Sequence, residues 1–217
     1  MQELINGIGF GLLLILPLAN PFFSVVLFLS LTKNMSVEER KVVAGKSSIY
    51  IFLIMLVVYY SGQLIMHSFG ISIPGLRISG GFIVALFGFR MLFPAAKKTA
   101  TNDEDKHAST DIAFIPLAMP GTAGPGTMAV IISYASTLRH DMMFSDLSIA
   151  LAPPLVFILT SLLIWICLRG SGKIMKLLGH GGINAISQLM GFILISMGVQ
   201  FIINGSHEVL QSWAQTM

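Results

Sequence analysis

The sequence predicts an all-α protein that crosses a membrane six times, in two related halves of opposite orientation. Hydrophobic residues make up 54% of the 217 residues and charged residues only 11%, a composition typical of a chain surrounded mostly by lipid. Six apolar segments are each long enough to cross a bilayer core of about 30 Å. A proline-rich motif occurs twice, inside the first and the fourth of these segments. Together these observations exclude a soluble fold.

The predicted spans follow one another with short polar connections and one long connection. Ser36, followed by two glutamates, predicts the capped start of the second helix, because hydroxyl and carboxylate groups pair with the free N–H groups of a first turn. Residues 94–111 are hydrophilic and are predicted to be a cytoplasmic linker between a first half, residues 1–93, and a second half, residues 112–217. The six spans cover approximately residues 8–31, 48–66, 76–93, 112–135, 147–168 and 183–203.

The positions of lysine and arginine predict the orientation of the spans. Eleven of the 13 basic residues lie at or after the ends of the first, third and fifth spans, whereas only Arg77 and Arg139 lie on the opposite side. Basic residues resist transfer across the membrane and collect in cytoplasmic loops. Both termini are therefore predicted to be periplasmic. The same distribution explains the net charge of +3, so nucleic acid is not an expected partner.

The chain contains an internal repeat. The sequence PLANP at Pro17–Pro21 returns as PLAMP at Pro116–Pro120, 99 residues later, and the glycine pattern of Gly81–Gly88 returns at Gly191–Gly198, 110 residues later. Three spans per copy is an odd number, so the second copy must enter the membrane from the opposite face. Inverted repeats of this kind occur in many secondary transporters, whose substrate sites lie near the membrane midplane where the two copies meet.

The two proline motifs predict broken helices. Proline lacks an N–H group and its ring clashes with the preceding turn. Pro17 and Pro21 in the first span, and Pro116, Pro120 and Pro125 in the fourth, therefore leave backbone polar groups that lipid cannot satisfy. A half-helix that begins at such a break directs its N–H groups and its positive dipole end into the protein, which suits a carboxylate. The alternative is a kink used only for close helix packing.

The polar groups beside the two breaks are the predicted substrate site. An asparagine offers both a hydrogen-bond donor and an acceptor, and hydroxyl groups add contacts suited to a small zwitterion, while glycines remove side-chain bulk beside the opened backbone. The alternatives are a hydrogen bond between helices for the asparagine and a bond to their own helix for the hydroxyls. The predicted substrate-binding residues are Asn20, Pro21 and Ser24 in the first copy and Gly121, Thr122, Gly124, Gly126 and Thr127 in the second.

Arg77 is an isolated charge on the predicted external side, close to the start of the third span. It can hold a substrate carboxylate at an outer gate; the alternative is an arginine that extends its charge to the lipid headgroups. All ten acidic residues fall outside the hydrophobic cores, so no carboxylate is available there for a proton relay. The five histidines lack metal-ligand spacing and Cys167 has no partner cysteine, so no metal, cofactor or enzyme activity is predicted.

Five stretches of the chain form a specific set of motifs. They are PLANP at Pro17–Pro21, LFLSLT at Leu27–Thr32, FGISIPGLRISGG at Phe69–Gly81, PLAMPGTAGPGT at Pro116–Thr127 and MGVQFIING at Met197–Gly205. Together they resemble the MarC family of bacterial inner-membrane proteins. The resemblance implies a six-span protein related to the LysE type of transporter, in a family associated with small neutral amino acids and, historically, with multiple antibiotic resistance. Many members carry a further proline five residues after the Asn-Pro proline; here that position is Val26, which implies a less open first break.

The functional prediction is a secondary transporter that moves a small neutral amino acid or similar metabolite across the inner membrane, with export implied by the resemblance. Its expected partners are a small-molecule substrate and the lipid bilayer, and assembly into a homo-oligomer is left open. One alternative is a non-transporting membrane scaffold, which leaves the helix breaks without a purpose. Another is a transporter of a different small solute. Drug efflux is disfavoured, because these residues form no aromatic and acidic pocket for cationic drugs.

Overall fold

The computed structural model describes residues 2–93, 112–118, 122–140 and 146–214. Every element within these residues is helical, which confirms the predicted all-α class for the described part of the chain. The predicted linker, residues 94–111, lies outside the described residues. The elements, in order, are α1 (Gln2–Ala19), α2 (Pro21–Leu31), α3 (Val37–Ser68), α4 (Ile73–Leu92), a short π-type segment (Ala113–Ala118), α5 (Pro125–His140), α6 (Asp146–Arg169) and α7 (Ser171–Ala214).

Five helical stretches of the described chain are long and apolar enough to cross a membrane, and they correspond to five of the six predicted spans. The predicted span over residues 112–135 is not among them, because the backbone there is interrupted. Ile115 is extended, with φ −121° and ψ 125°, and the apolar helical part, Gly126–Ala135, is shorter than a membrane span requires. The five stretches are Leu4–Leu31, Val37–Ser68, Ile73–Leu92, Leu151–Arg169 and Gly181–Ala214.

Local capping explains where several helices begin and bend. The predicted capped start at Ser36 is confirmed: its hydroxyl oxygen accepts from the N–H of Glu39 at 3.3 Å, and the Glu39 carboxylate accepts from the N–H of Ser36 at 2.7 Å. The Ser72 hydroxyl caps α4 with a single bond, accepting from the N–H of Gly75 at 3.2 Å. Within α7, Gly179 adopts φ 63°, a left-handed conformation open to glycine, so the helix changes direction there before its apolar part begins.

The helices α4 and α7 cross in antiparallel directions with their backbones in contact. Gly81 faces Gly198 and Gly88 faces Gly191, so the repeated glycine patterns pack against each other. A Cβ atom placed on Gly88 would lie 2.5 Å from the carbonyl oxygen of Gly191, and one placed on Gly191 would lie 2.8 Å from that of Gly88. Only glycine therefore permits this approach, as at other close helix crossings in membranes.

Clusters of buried apolar side chains hold the other helices around this crossing. One cluster joins α1, α2, α3, α5 and α6 through residues that include Phe28, Met55 and Phe157. Another cluster joins α4, α5 and α7 through residues that include Val84 and Val130. Large apolar side chains also remain on the outward faces of the spans, as expected for surfaces that contact lipid tails.

Replacing Thr160 of α6 by valine is expected to stabilise the protein by about 1 kcal/mol. The Thr160 hydroxyl is buried and has no hydrogen-bond partner among the described residues, so valine removes an unpaired polar group and keeps the side-chain shape. Denaturant unfolding of the purified protein in detergent measures the change. Ser48→Ala is the control, because the Ser48 hydroxyl donates to the carbonyl of Ala44 at 2.9 Å and no gain is expected. A less stable Thr160→Val protein would contradict the prediction.

Candidate functional site

The first span is interrupted at Asn20, between α1 and α2. Asn20 adopts a left-handed conformation, with φ 37° and ψ 77°, which asparagine tolerates better than most residues. Pro17 lies inside α1, whereas Pro21 is the first residue of α2. An N–H group at the first position of a helix has no partner within that helix, so a proline costs no hydrogen bond there. The backbone therefore turns at the asparagine and restarts as a helix at the proline.

The Asn20 side chain is buried, with 2% of its surface exposed, and links α2 to α4. Its Oδ1 accepts from the N–H of Phe23 at 3.0 Å and so caps the start of α2. Its Nδ2 donates to the sulfur of Met91 in α4 at 3.4 Å. Because thioether sulfur is a weak acceptor, this donor is held far less firmly than the capping oxygen.

The second interrupted segment carries its own set of local hydrogen bonds. The Thr122 hydroxyl donates to the carbonyl of Leu117 at 3.2 Å, and the N–H of Ala123 donates to the carbonyl of Ala118 at 2.9 Å. The Thr127 hydroxyl donates to the carbonyl of Thr122 at 3.0 Å. Both hydroxyls thus replace backbone hydrogen bonds that the broken helix does not make, which is one of the roles expected for them.

The two interrupted segments meet directly. The hydroxyl oxygens of Ser24 and Thr122 lie 3.0 Å apart, and both residues are at most 2% exposed. Ser24 is in the first turn of α2, and Thr122 lies just before Pro125, the first residue of α5. Two helix N-termini therefore converge on one buried polar contact. Because a helix N-terminus carries a partial positive charge, this point suits a small anionic group.

The other predicted binding residues have different positions. Gly126 packs against α4, since a Cβ atom placed there would lie 2.9 Å from the Val84 side chain. Gly124 is buried beside Thr122 in the chain. Gly121, Pro120 and Met119 lie outside the described residues, as do the side chains of Pro116 and Pro125.

Arg77 lies away from the breaks, near the N-terminal end of α4. Its Nε donates to the hydroxyl of Ser133 in α5 at 2.6 Å, and its Nη1 forms an ion pair with Oε1 of Glu208 in α7. Its side chain is 16% exposed. The guanidinium is therefore directed into the protein rather than towards lipid headgroups. The sequence prediction missed Ser133 and Glu208, although Glu208 is the only acidic residue of α7 and lies on the same predicted side as Arg77.

A cavity of about 370 Å³ lies between α1, α4, α5 and α7, next to Arg77. Its wall includes Leu14, which precedes Asn20 by six residues, or about 9 Å along a helix. Val130 and Phe201 also line the cavity and belong to the apolar cluster around Met91. Val130 and Phe201 thus belong both to the cavity wall and to the apolar layer of side chains that packs around Met91, the partner of the Asn20 amide. The polar side chains on the wall are Arg77, Ser133, Tyr134, Gln200 and Asn204.

Sequence comparison identifies the family. Residues 5–210 match the MarC family of integral membrane proteins. The chain is 54% identical over 220 residues to the inner membrane protein MarC of Salmonella typhimurium, with 98% of this chain and 100% of that protein covered. The inner membrane proteins MarC of Citrobacter koseri and Escherichia coli are similar to the same extent. No solved structure shows significant similarity to the chain. Because the match includes both breaks and nearly the whole sequence, the chain belongs to the MarC family of inner-membrane proteins.

Proposed function

We propose that this protein is a secondary transporter that exports small neutral amino acids, or similar small metabolites, across the bacterial inner membrane. The observation that supports this most directly is the 3.0 Å contact between Ser24 and Thr122, because it joins two interrupted helices deep inside the protein. Interrupted helices at membrane depth are tolerated only where they are buried in protein or line a polar cavity. In transporters, such breaks bind the substrate.

The chemistry of the breaks favours a substrate with a carboxylate. The Asn20 amide donor rests on the Met91 sulfur, and a carboxylate oxygen is a stronger acceptor than a thioether. The positive ends of α2 and α5 stabilise the same charge. Because the Thr122 hydroxyl donates to the Leu117 carbonyl, Ser24 is the donor in the bond between the two hydroxyls. Ser24 can redirect this hydrogen to the substrate carboxylate, and the Thr122 oxygen can then accept from the substrate ammonium. All of these groups are buried, so this arrangement of the helices holds the site closed.

We also propose that the two halves, residues 1–93 and 112–217, are three-span repeats related by a two-fold axis in the membrane plane, as in the LysE type of transporter. The glycine contacts support this arrangement. In the sequence repeat, Gly81 corresponds to Gly191 and Gly88 to Gly198. A two-fold rotation that exchanges the halves converts the contact of Gly81 with Gly198 into the contact of Gly191 with Gly88, and both contacts are present.

Alternating access in this proposal requires the apolar layer beside the cavity to open. Val130 and Phe201 close the path between the cavity and the Asn20 amide. With both termini in the periplasm, as the distribution of basic residues favours, the cavity faces the periplasm. Separation of α1 and α5 from α4 and α7 at this layer then exposes the site to that side. The reverse movement opens it to the cytoplasm.

Replacing Thr122 by valine is expected to lower amino-acid counterflow by about tenfold, because it removes one hydrogen bond to a charged substrate group. Uptake of labelled glycine, L-alanine, L-serine and L-threonine into liposomes that contain the purified protein measures the flux. Thr160→Val is the matched control, since it makes the same atomic change in α6 away from the breaks. Equal flux in the two variants would remove Thr122 from the site. Absence of flux for all four amino acids in the unaltered protein would reject the substrate class.

A further inference from the structure

The cavity beside Arg77 has a composition that packing alone does not require. Half of the residues on its wall are polar, although it lies between apolar helices of a membrane protein. Its volume of about 370 Å³ falls within the range of small-molecule sites. Gln200 and Asn204 project from successive turns of α7 and bond to each other at 2.8 Å. Glu208 follows one turn later, so the polar face of α7 leads from the cavity wall to the ion pair.

Arg77, on the cavity wall, is paired with the opposite charge of Glu208, which is not itself among the wall residues. Arg77 is mostly buried, with 16% of its side chain exposed, and Glu208 is 35% exposed. A ligand that separates the two groups must replace the ion-pair partner that each group loses, because breaking a partly buried ion pair is destabilising. An anion would pair with Arg77 but would leave a second negative charge next to Glu208. A cation would pair with Glu208 but would place a second positive charge next to Arg77. A zwitterion satisfies both groups.

We infer that the Arg77–Glu208 ion pair is an outer binding site that a small zwitterion enters by inserting between the two side chains. The ligand carboxylate pairs with the Arg77 guanidinium, and the ligand ammonium pairs with the Glu208 carboxylate. Ser133, which already accepts from Arg77 Nε at 2.6 Å, holds the guanidinium in place during the exchange. The neutral side chain of the ligand occupies the cavity, against Leu14 and Phe201.

This inference takes its ligand class from the proposed transport of neutral amino acids and adds a second site to it. The cavity lies about 9 Å along α1 from the Asn20 break, on the far side of the apolar layer. A zwitterion held there is positioned next to the layer that must open. The ion pair thus selects solutes that carry both charges, and a single charge of either sign is disfavoured.

Ligand-induced thermal stabilisation of the purified protein in detergent tests this site without any measurement of flux. The ligands are glycine, L-alanine, L-serine and L-threonine, with L-lactate as the anion and L-alaninamide as the cation, all at equal concentrations and at the same near-neutral pH, where both analogues carry their charge. We expect at least one amino acid to raise the unfolding temperature and neither single-charge analogue to do so. In Glu208→Gln, the affinity for L-lactate should rise about tenfold, because repulsion from the carboxylate is removed. In Arg77→Gln, L-alaninamide should bind better than L-lactate.

Matched variants control for the loss of an ion pair or an arginine elsewhere. Glu38→Gln breaks the exposed ion pair with Lys41, and Arg169→Gln removes an arginine that stacks on Trp165; neither should alter the ligand preference. Absence of stabilisation by all four amino acids in the unaltered protein would overturn the inference even if a variant did not fold. So would an equal response to L-lactate in the unaltered and Glu208→Gln proteins. Flux that depends on Thr122 but not on these charges would rule out this site and leave the proposed transport intact.

Discussion

Asn20→Leu is expected to abolish amino-acid counterflow. The substitution removes the amide, whose donor is the group best placed to bind a substrate carboxylate, since it now rests on the weak Met91 acceptor. It also places leucine at φ 37°, a left-handed conformation that costs a non-glycine residue about 1–2 kcal/mol. It further removes the cap on α2. Leucine therefore combines three effects, of which only one concerns the substrate.

Two further variants at the same position separate these effects. Asn20→Gly accommodates the left-handed conformation without strain. It loses the amide together with its cap on α2, but glycine is itself a tolerated cap residue, so the protein should fold while flux falls by about tenfold to a hundredfold. Asn20→Asp keeps an oxygen that can cap α2 but replaces the Nδ2 donor by a negative charge, so it too should lose flux. Counterflow of labelled L-alanine measures each variant. Full flux in a folded Asn20→Gly protein would show that the amide does not bind the substrate.

Gly198→Ala is expected to destabilise the protein by about 3 kcal/mol or to prevent its folding. An added Cβ atom would collide with the carbonyl oxygen of Gly81 and would lie 2.6 Å from the backbone nitrogen of Ala85. Both are backbone atoms of α4, so no side-chain rearrangement relieves the overlap and the two helices must move apart. Separation of α4 from α7 weakens the close packing that holds helices together in lipid.

Gly9→Ala is the matched control for this change. Gly9 lies in α1, and a Cβ atom added to it would have no neighbour within 4 Å, so alanine should be tolerated or slightly stabilising through its higher helix propensity. Unfolding in detergent, followed by circular dichroism, compares the two variants. Gly81→Ala combined with Gly198→Ala should cost less than the sum of the single changes, because both disturb the same contact. Equal stability of Gly198→Ala and Gly9→Ala would contradict the close crossing.

The bounds of the helices show what hydropathy reveals and what it omits. The apolar pattern predicts the second span over residues 48–66, whereas α3 covers Val37–Ser68. The apolar run marks only the part in lipid, and the helix continues into the polar region because the cap at Ser36 satisfies its first N–H groups. Likewise, the pattern predicts the last span over residues 183–203, whereas α7 covers Ser171–Ala214, with a change of direction at Gly179 that no hydropathy pattern indicates.

The partners of the polar side chains, in contrast, cannot be read from the sequence. The sequence selects Asn20, Ser24 and Thr122 because they accompany proline motifs, yet it does not indicate that Ser24 bonds to Thr122 while Asn20 bonds to Met91. Met91 carries no polar signal and lies 71 residues from Asn20 in the chain. The ion pair of Arg77 with Glu208 spans 131 residues. Which groups meet across such separations depends on how the helices are packed.

The sequence by itself determined that the chain is a helical membrane protein of the MarC family, with an interruption in its first and fourth apolar segments. These properties follow from apolar length and from backbone chemistry, because lipid admits only segments whose N–H and C=O groups are satisfied internally. Only the tertiary structure decided which polar groups meet at the breaks and at the cavity. Lipid does not drive helices together as water does, so their arrangement depends on close contacts such as the glycine crossing of α4 and α7.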